Sequence, residues 1–280
     1  MAASRTALIA AALRMTHRSD DDSPPVLDDP FAEVLLGADA AALAAVVREL
    51  PRQALLVLRS TIVGRSRVAE DRLRAVAAAG PARYVSLGAG LDSVAWRHTD
   101  LDLEVVEIDQ PDSAADKLRR VRAAGLGIPG NWRQLPCDLT TEPLADVLKR
   151  AAPGDGGRAT VISWLGVTQY LTPDAVGASL AGLATAPSGT EIVLTTLIPD
   201  ADVAADDLES VRLVASIVEA GGEPWLTRLT RRATGDLITG SGLRPAGEVG
   251  APHLVEPLFA GRADGLVANA VELVTVARVP

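Results

Sequence analysis

Gly88-Ala89-Gly90 follows the apolar run Tyr84-Val85-Ser86-Leu87 and precedes a helix-like stretch. A strand, a glycine turn and a helix open a nucleotide-binding α/β unit. Glycine lets backbone approach a ligand where a Cβ would collide. The helix that follows would add free N–H groups and a positive dipole end. The next apolar run, Leu103 to Ile108, ends in Asp109. That puts a carboxylate at the tip of the neighbouring strand, where ribose hydroxyls would lie. Asp138-Leu139 follows a third short run; an acidic side chain accepts from an exocyclic amine while an adjacent N–H meets a ring nitrogen, which suits adenine. Each feature also has a structural reading. The glycine turn reads as a tight strand-to-helix connection, and Asp138 as a cap for a helix over Pro143 to Arg150. Tyr170, at the carboxyl edge of a fourth run, reads either as packed core or as a wall of the substrate pocket.

The nucleotide is narrowed by what is missing. Ser93 stands where the dinucleotide pattern G-x-G-x-x-G needs its third glycine, which argues against NAD without excluding it. No Y-x-x-x-K pattern starts at Tyr170, because Asp174 is four residues on.

The turn continues as GAGLDSVAWR to Arg97, and the next strand closes as Glu107-Ile108-Asp109-Gln110-Pro111. The pair GAGxDxxxxR and E-[VI]-D-x-P resembles the leucine carboxyl methyltransferase family, a branch of the class I S-adenosylmethionine-dependent methyltransferases. The resemblance covers nearly the whole chain and is strongest from Arg65 to Pro173. It extends to an opening segment at Ser4 to Leu8, to D-D-P-F-A at Asp28 to Ala32, to Glu223-Pro224-Trp225 and to F-A-G-R-x-D-G-L at Phe259 to Leu266. It implies an α/β fold: a doubly wound, seven-stranded, mainly parallel, Rossmann-like sheet whose last strand inserts antiparallel beside the fifth. It implies S-adenosylmethionine as cofactor and S-adenosylhomocysteine as product, with Gly88, Ala89, Gly90, Asp109, Gln110, Asp138 and Leu139 at the cofactor. Arg65 begins an R-x-R-x-x-x-D segment whose first arginine, by the resemblance, grips the methionine carboxylate. On charge alone Arg65 reads as a solvated or paired arginine, and Arg67 is the neighbouring alternative. Leu165 occupies the place of a family glutamate, so backbone at Leu165, or Trp164, is expected to stand in for that contact.

Methyl transfer from a sulfonium is an in-line displacement that the protein serves by alignment and exclusion of water. A carboxylate acceptor is ionised at neutral pH and needs no general base, whereas an alcohol or phenol usually does. His17, His98 and His253 lie in no catalytic pattern and read as surface residues. The absence of a placed histidine and the resemblance both favour a carboxylate acceptor giving a methyl ester, and the resemblance implies O-methylation of a small molecule in secondary metabolism; no catalytic residue is assigned. Tyr170, Glu223 and Trp225 are the candidates for the substrate pocket. The alternatives are an NAD(P)-dependent oxidoreductase and a non-catalytic cofactor-binding protein, the latter suggested by Leu165.

Composition bounds these readings. The net charge of the 280-residue chain is -9 and no basic block occurs, which disfavours nucleic acid. The single cysteine, Cys137, excludes an intrachain disulfide framework, and it forms no metal motif with the three histidines. The apolar stretch Ala7 to Leu13 is short for a signal sequence, and no run approaches the ~20 residues needed to span a bilayer. A soluble, cytoplasmic protein, monomer or homodimer, is expected.

These residues need elements to hold them. Residues 1–80 read as helices throughout, with Ser4 capping the first, which is expected to end near Met15. They form a lid or a packing cap on an S-adenosylmethionine-binding core over 81–280. Strands are expected at Tyr84–Leu87, Leu103–Ile108, Trp132–Leu135, Ala159–Trp164, Glu191–Leu197, Arg244–Val249 and Val271–Val279. The fifth is a continuous β-branched run suited to a doubly covered position.

Overall fold

The computed structural model describes residues 4–139, 141–151 and 157–280. Helices α1 (Arg5–Asp20), α2 (Phe31–Leu36), α3 (Ala40–Arg48) and α4 (Arg52–Ala77) precede the sheet. The first βα units follow as β1 (Ala82–Leu87), α5 (Val94–Arg97), β2 (Leu103–Asp109), α6 (Pro111–Ala123), β3 (Trp132–Pro136) and α7 (Leu144–Ala151). Then come β4 (Ala159–Trp164), α8 (Pro173–Leu183), β5 (Glu191–Leu197), α9 (Ala205–Ala220) and α10 (Arg231–Gly240). The chain closes with β6 (Arg244–Pro245), α11 (Glu256–Phe259) and β7 (Glu272–Arg278).

The strands form one seven-stranded sheet in the order β3-β2-β1-β4-β5-β7-β6. The first five are parallel, and β7 runs antiparallel between β5 and β6. Alternation along the strands sorts side chains into two layers. Tyr84, Val105, Val161, Val193 and Val274 join the apolar cluster that contains α1 to α4 residues such as Leu13, Leu35, Val47 and Leu73. Val85, Val106, Ile162, Ile192 and Ala277 join the opposite cluster, with α7, α8 and α10. Strand order reverses at β1, whose neighbours are β2 and β4, so the carboxyl ends of these strands frame a crevice.

Several elements differ from the sequence-based expectation. Helix α1 runs on to Asp20: Thr16 turns its hydroxyl onto Ala12 O at 2.9 Å, and Arg14, Thr16 and His17 are buried rather than trailing into solvent. Helix α4 is continuous over 26 residues. Helix α5 is only four residues long and begins after a six-residue connection from Gly88 to Ser93, so no long-helix dipole points at the glycine turn. The sixth strand stops at Pro245, which cannot donate to a ladder. Arg231 then draws the chain aside by bonding Val249 O and Gly250 O. Among the described residues no helix is long and apolar enough to cross a membrane.

Candidate functional site

A cavity of about 720 Å³ opens at the carboxyl ends of β1, β2 and β4. Gly88 sits at its floor with φ +70°, and a Cβ there would collide with Val167, so only glycine leaves the floor clear. Asp109 closes one side. Its Oδ2 accepts from Gly90 N at 2.6 Å and its Oδ1 from Gln110 N at 2.8 Å. Burial raises its pKa, and those two N–H groups act against the rise. A carboxylate has about four lone-pair sites, so two remain on Asp109 for a diol.

Beyond Asp109 the wall continues through Cys137, Asp138 and Leu139. Cys137 N donates to Asp109 O at 2.8 Å, which carries the sheet edge into this segment. Asp138 O then accepts from Thr141 N and Glu142 N and turns the chain towards α7. Burial, with Glu142 nearby, pushes the Cys137 thiol up to about 12, so it is no nucleophile at neutral pH.

Arg65 enters from α4. Its Nη1 donates to Glu272 Oε2 at 2.6 Å, and its guanidinium lies against the backbone of Gly166, where a Cβ would collide with it. Arg67, two residues on, is rotated by roughly 200° around the helix. It lies outside the cavity, donating to Asp71 at 2.7 Å and to Val26 O at 2.9 Å. Leu165 lines the cavity, but Trp164 does not. Trp164 is fully buried in the opposite layer with Ile162 and Leu194. The expectation that Trp164 stands in at the cofactor is therefore overturned: adjacent strand residues face opposite sides, and Ser163 and Leu165 take the cavity side.

The far half of the cavity is built from Gln169, Tyr170 and the segment after α9. Leu226 N donates to Gln169 O at 2.6 Å and Leu229 N to Leu197 O at 2.7 Å, which pins that segment to the sheet edge. Glu223 Oε2 accepts from Thr6 N at 3.1 Å and so joins the first turn of α1 to this wall. Burial raises the Tyr170 phenol, against the nearby Trp225, Thr6 and Arg65. Among the described residues the Trp225 indole N–H makes no hydrogen bond of good geometry, and Gln169 Oε1 is also buried without a partner. Val211, Val214 and Val218 of α9, with Val47, Val57 and Leu58, add aliphatic surface to the lining. Three of the most exposed large apolar side chains, Val46, Ile217 and Leu226, stand among the lining residues at the open side.

Residues that sequence reasoning left without a role hold the glycine turn in place. Asp29 is buried and accepts from Arg14 at 2.8 Å, from Ser93 Oγ at 2.6 Å and from the first N–H groups of α2. Arg14 also donates to Leu91 O at 2.7 Å. Arg97 donates to Ser93 Oγ and pairs bidentately with Glu70 at 2.6 Å, and His98 meets the same carboxylate at 2.9 Å. Burial would raise the Glu70 carboxyl, but the Arg97 charge and the His98 contact outweigh it and hold it at about 2. The arginine of GAGxDxxxxR thus ties the loop to α4. His17 and His98 are correspondingly buried, against expectation. Val26 N donates to His17 Nε2 at 2.9 Å while His17 Nδ1 meets Asp21 at 2.7 Å. His253 alone of the three is exposed. Among the described residues no cluster of His, Cys, Asp or Glu could hold a metal ion.

Comparison with known proteins agrees with this geometry. The model of the leucine carboxyl methyltransferase family matches residues 7–184. YktD of Bacillus subtilis (strain 168), a protein inferred to be an S-adenosyl-L-methionine-dependent methyltransferase, is 27% identical over 95% of this chain and 94% of its own. A Mycolicibacterium gilvum (strain PYR-GCK) protein of the same description is 34% identical over 61% of this chain and 58% of its own. Among solved structures, a DUF574 family protein from Streptomyces avermitilis covers 99% of this chain and 98% of its own, with TM-score 0.62 and 18% identity.

Proposed function

This chain belongs to the leucine carboxyl methyltransferase family and is an S-adenosylmethionine-dependent methyltransferase, and from that premise we propose that it methylates an oxygen of a small, largely apolar molecule, a carboxylate that becomes a methyl ester. The observation that carries the reading is the division of one cavity into a polar half at β1, β2 and β4 and an aliphatic half under α9.

The polar half fits the cofactor. Gly88 clears a cradle that a Cβ would fill, Asp109 keeps lone pairs for the ribose hydroxyls, and Asp138 with Leu139 offers the acceptor and donor edge for adenine. Arg65 keeps guanidinium N–H groups beyond the one given to Glu272, and these suit a carboxylate. When bound, S-adenosylmethionine supplies a methyl group already activated on sulfur. The protein's task is then to orient the acceptor and keep water out.

The aliphatic half supports an apolar acceptor body, and Trp225 Nε1 and the Tyr170 hydroxyl supply donors for its oxygen. No histidine lines the cavity among the described residues, and Glu70 is held by Arg97. A carboxylate, ionised without help, suits a wall that carries no histidine, and Glu223 is the lining carboxylate left to serve an alcohol. The apolar acceptor also favours a place in small-molecule biosynthesis over nucleic-acid modification. The test is a panel of matched acids and alcohols on the same aliphatic or aromatic skeletons, incubated with S-adenosylmethionine and read by mass spectrometry for gain of one methyl group. Alkali-labile methyl products from the acids support the reading. Alkali-stable products from the alcohols alone would replace the carboxylate by a hydroxyl, and would turn attention to Glu223 as base.

A further inference from the structure

One wall of the acceptor half is a stripe on α9. Val211, Val214 and Val218 recur at the spacing of one helix face, and all three line the cavity. The stripe rises about 10 Å along the helix. At its inner end Val211, only 3% exposed, clusters with Val57 of α4, Leu197 of β5 and Val271. At its outer end Ile217 is 40% exposed and still lines the cavity. Every side chain that α3 and α9 give to the lining is Val or Ile, and α3, α4 and α9 carry no aromatic residue. Of the six large apolar side chains exposed among the described residues, three line this cavity: Val46 of α3, Ile217 of α9, and Leu226. Three separate segments thus bring apolar surface to one opening. Apolar surface exposed in a cluster marks a place that a ligand covers.

We infer that the acceptor is a long-chain aliphatic monocarboxylic acid, whose carboxylate meets the cofactor while its tail follows α9 and leaves between Val46, Ile217 and Leu226. This rests on the carboxylate reading and narrows it. A carboxylate oxygen bonds the methyl carbon as the carbon–sulfur bond breaks onto sulfur, so the products are the methyl ester and S-adenosylhomocysteine, and no proton moves. An aromatic acceptor would find no ring to stack on along α3, α4 or α9. An anionic membrane surface is a poorer occupant of the rim, because the net charge of the chain is -9. The rival acceptor is a diacid whose second carboxylate sits at Arg5, which lines the cavity, is exposed and forms no ion pair among the described residues.

The experiment measures methyl ester formation by the full chain with S-adenosylmethionine and straight-chain acids from butanoic to hexadecanoic, kept below micelle-forming concentrations. kcat/KM should rise by about twofold to fourfold per added methylene while the tail lies along α9. Ile217→Asp and Leu226→Asp, both at exposed positions, should cut the hexadecanoic-to-butanoic ratio of kcat/KM by roughly tenfold or more. A flat or falling series, or a preference for aromatic acids, would overturn the long-chain acceptor and leave the ester reading in place. A loss in the variants only for acid presented in vesicles would make the rim a membrane contact and overturn it too. Matched α,ω-diacids that outrun the monoacids, with the advantage abolished by Arg5→Ala, would move recognition to Arg5 and likewise overturn it. Methylation of long-chain alcohols with no acid turned over would instead sink the carboxylate reading on which the inference rests.

Discussion

Asp109 already accepts two backbone N–H groups, from Gly90 and Gln110, before any ligand arrives. Its residue type and its place at a strand tip were legible in the sequence, but this double use was not. An Asp109→Asn side chain keeps the shape and replaces one acceptor by an NH₂ donor. That donor would face Gly90 N–H, Gln110 N–H or the ribose, each of which also donates. Loss of a charged acceptor typically costs about 1.5–3 kcal/mol, so affinity for S-adenosylhomocysteine should fall by one to two orders of magnitude in a calorimetric titration. Unchanged affinity would remove Asp109 from the site. Arg65 was likewise findable only as one of a pair. Helical rotation turns Arg65 to the cavity and Arg67 to Asp71, and spacing within an R-x-R segment cannot say which face is inward.

Helix α4 is joined to the glycine turn through Glu70, whose carboxyl is held at about 2 against an ordinary 4.5. Between those values the unfolded chain binds a proton that the native chain does not. This contribution to stability is therefore fully present above about pH 4.5 and is lost as pH falls towards 2. The melting temperature of the wild type should drop over that acid range, and Glu70→Gln, already less stable at neutral pH, should show a flatter acid limb by scanning calorimetry. An equally steep limb in the variant would assign acid unfolding to other carboxylates. Helix α1 presents a different case. Ala11, Ala12 and Leu13 are fully buried in the sheet-facing cluster, so deleting the helix would unfold the core and not merely open a lid. The part free to respond to ligand is its first turn, where Ala7 lies over Gly90 and Thr6 N reaches Glu223. We expect amide exchange at Thr6 and Ala7 to slow about tenfold on saturation with S-adenosylhomocysteine, with Leu13 unchanged. Equal exchange with and without ligand would make the turn a fixed wall.

A large crevice lies at the switch of strand order, and a ligand bound there stabilises the fold of the whole molecule by mass action. S-adenosylhomocysteine at about 100 times its Kd should add about 2.7 kcal/mol, which for a chain of this size is a rise in Tm of roughly 5 °C. NAD at the same concentration should give no rise. The physical ground is Ser93, buried and bonded to Asp29 and Arg97 where the dinucleotide pattern needs a glycine. A larger shift with NAD would reverse the nucleotide assignment.

Strand–turn–strand order, the glycine turn and the placement of Asp109 and Asp138-Leu139 at strand ends were legible from the sequence. Apolar runs and breakers are local signals, and strand tips follow from where the runs end. The parallel order and the inserted antiparallel last strand came from family resemblance, and the sheet has both. The seating of side chains from distant segments was decided by tertiary structure alone. Ser93, Arg97, Asp29 and Glu70 meet across more than sixty residues of chain because α1, α2 and α4 fold back over the turn. Trp164 was misread because one step along a strand changes face, and only the packed layers say which face is the cavity. Glu272 was overlooked because it meets Arg65 across 207 positions of chain, and no local pattern encodes that pairing.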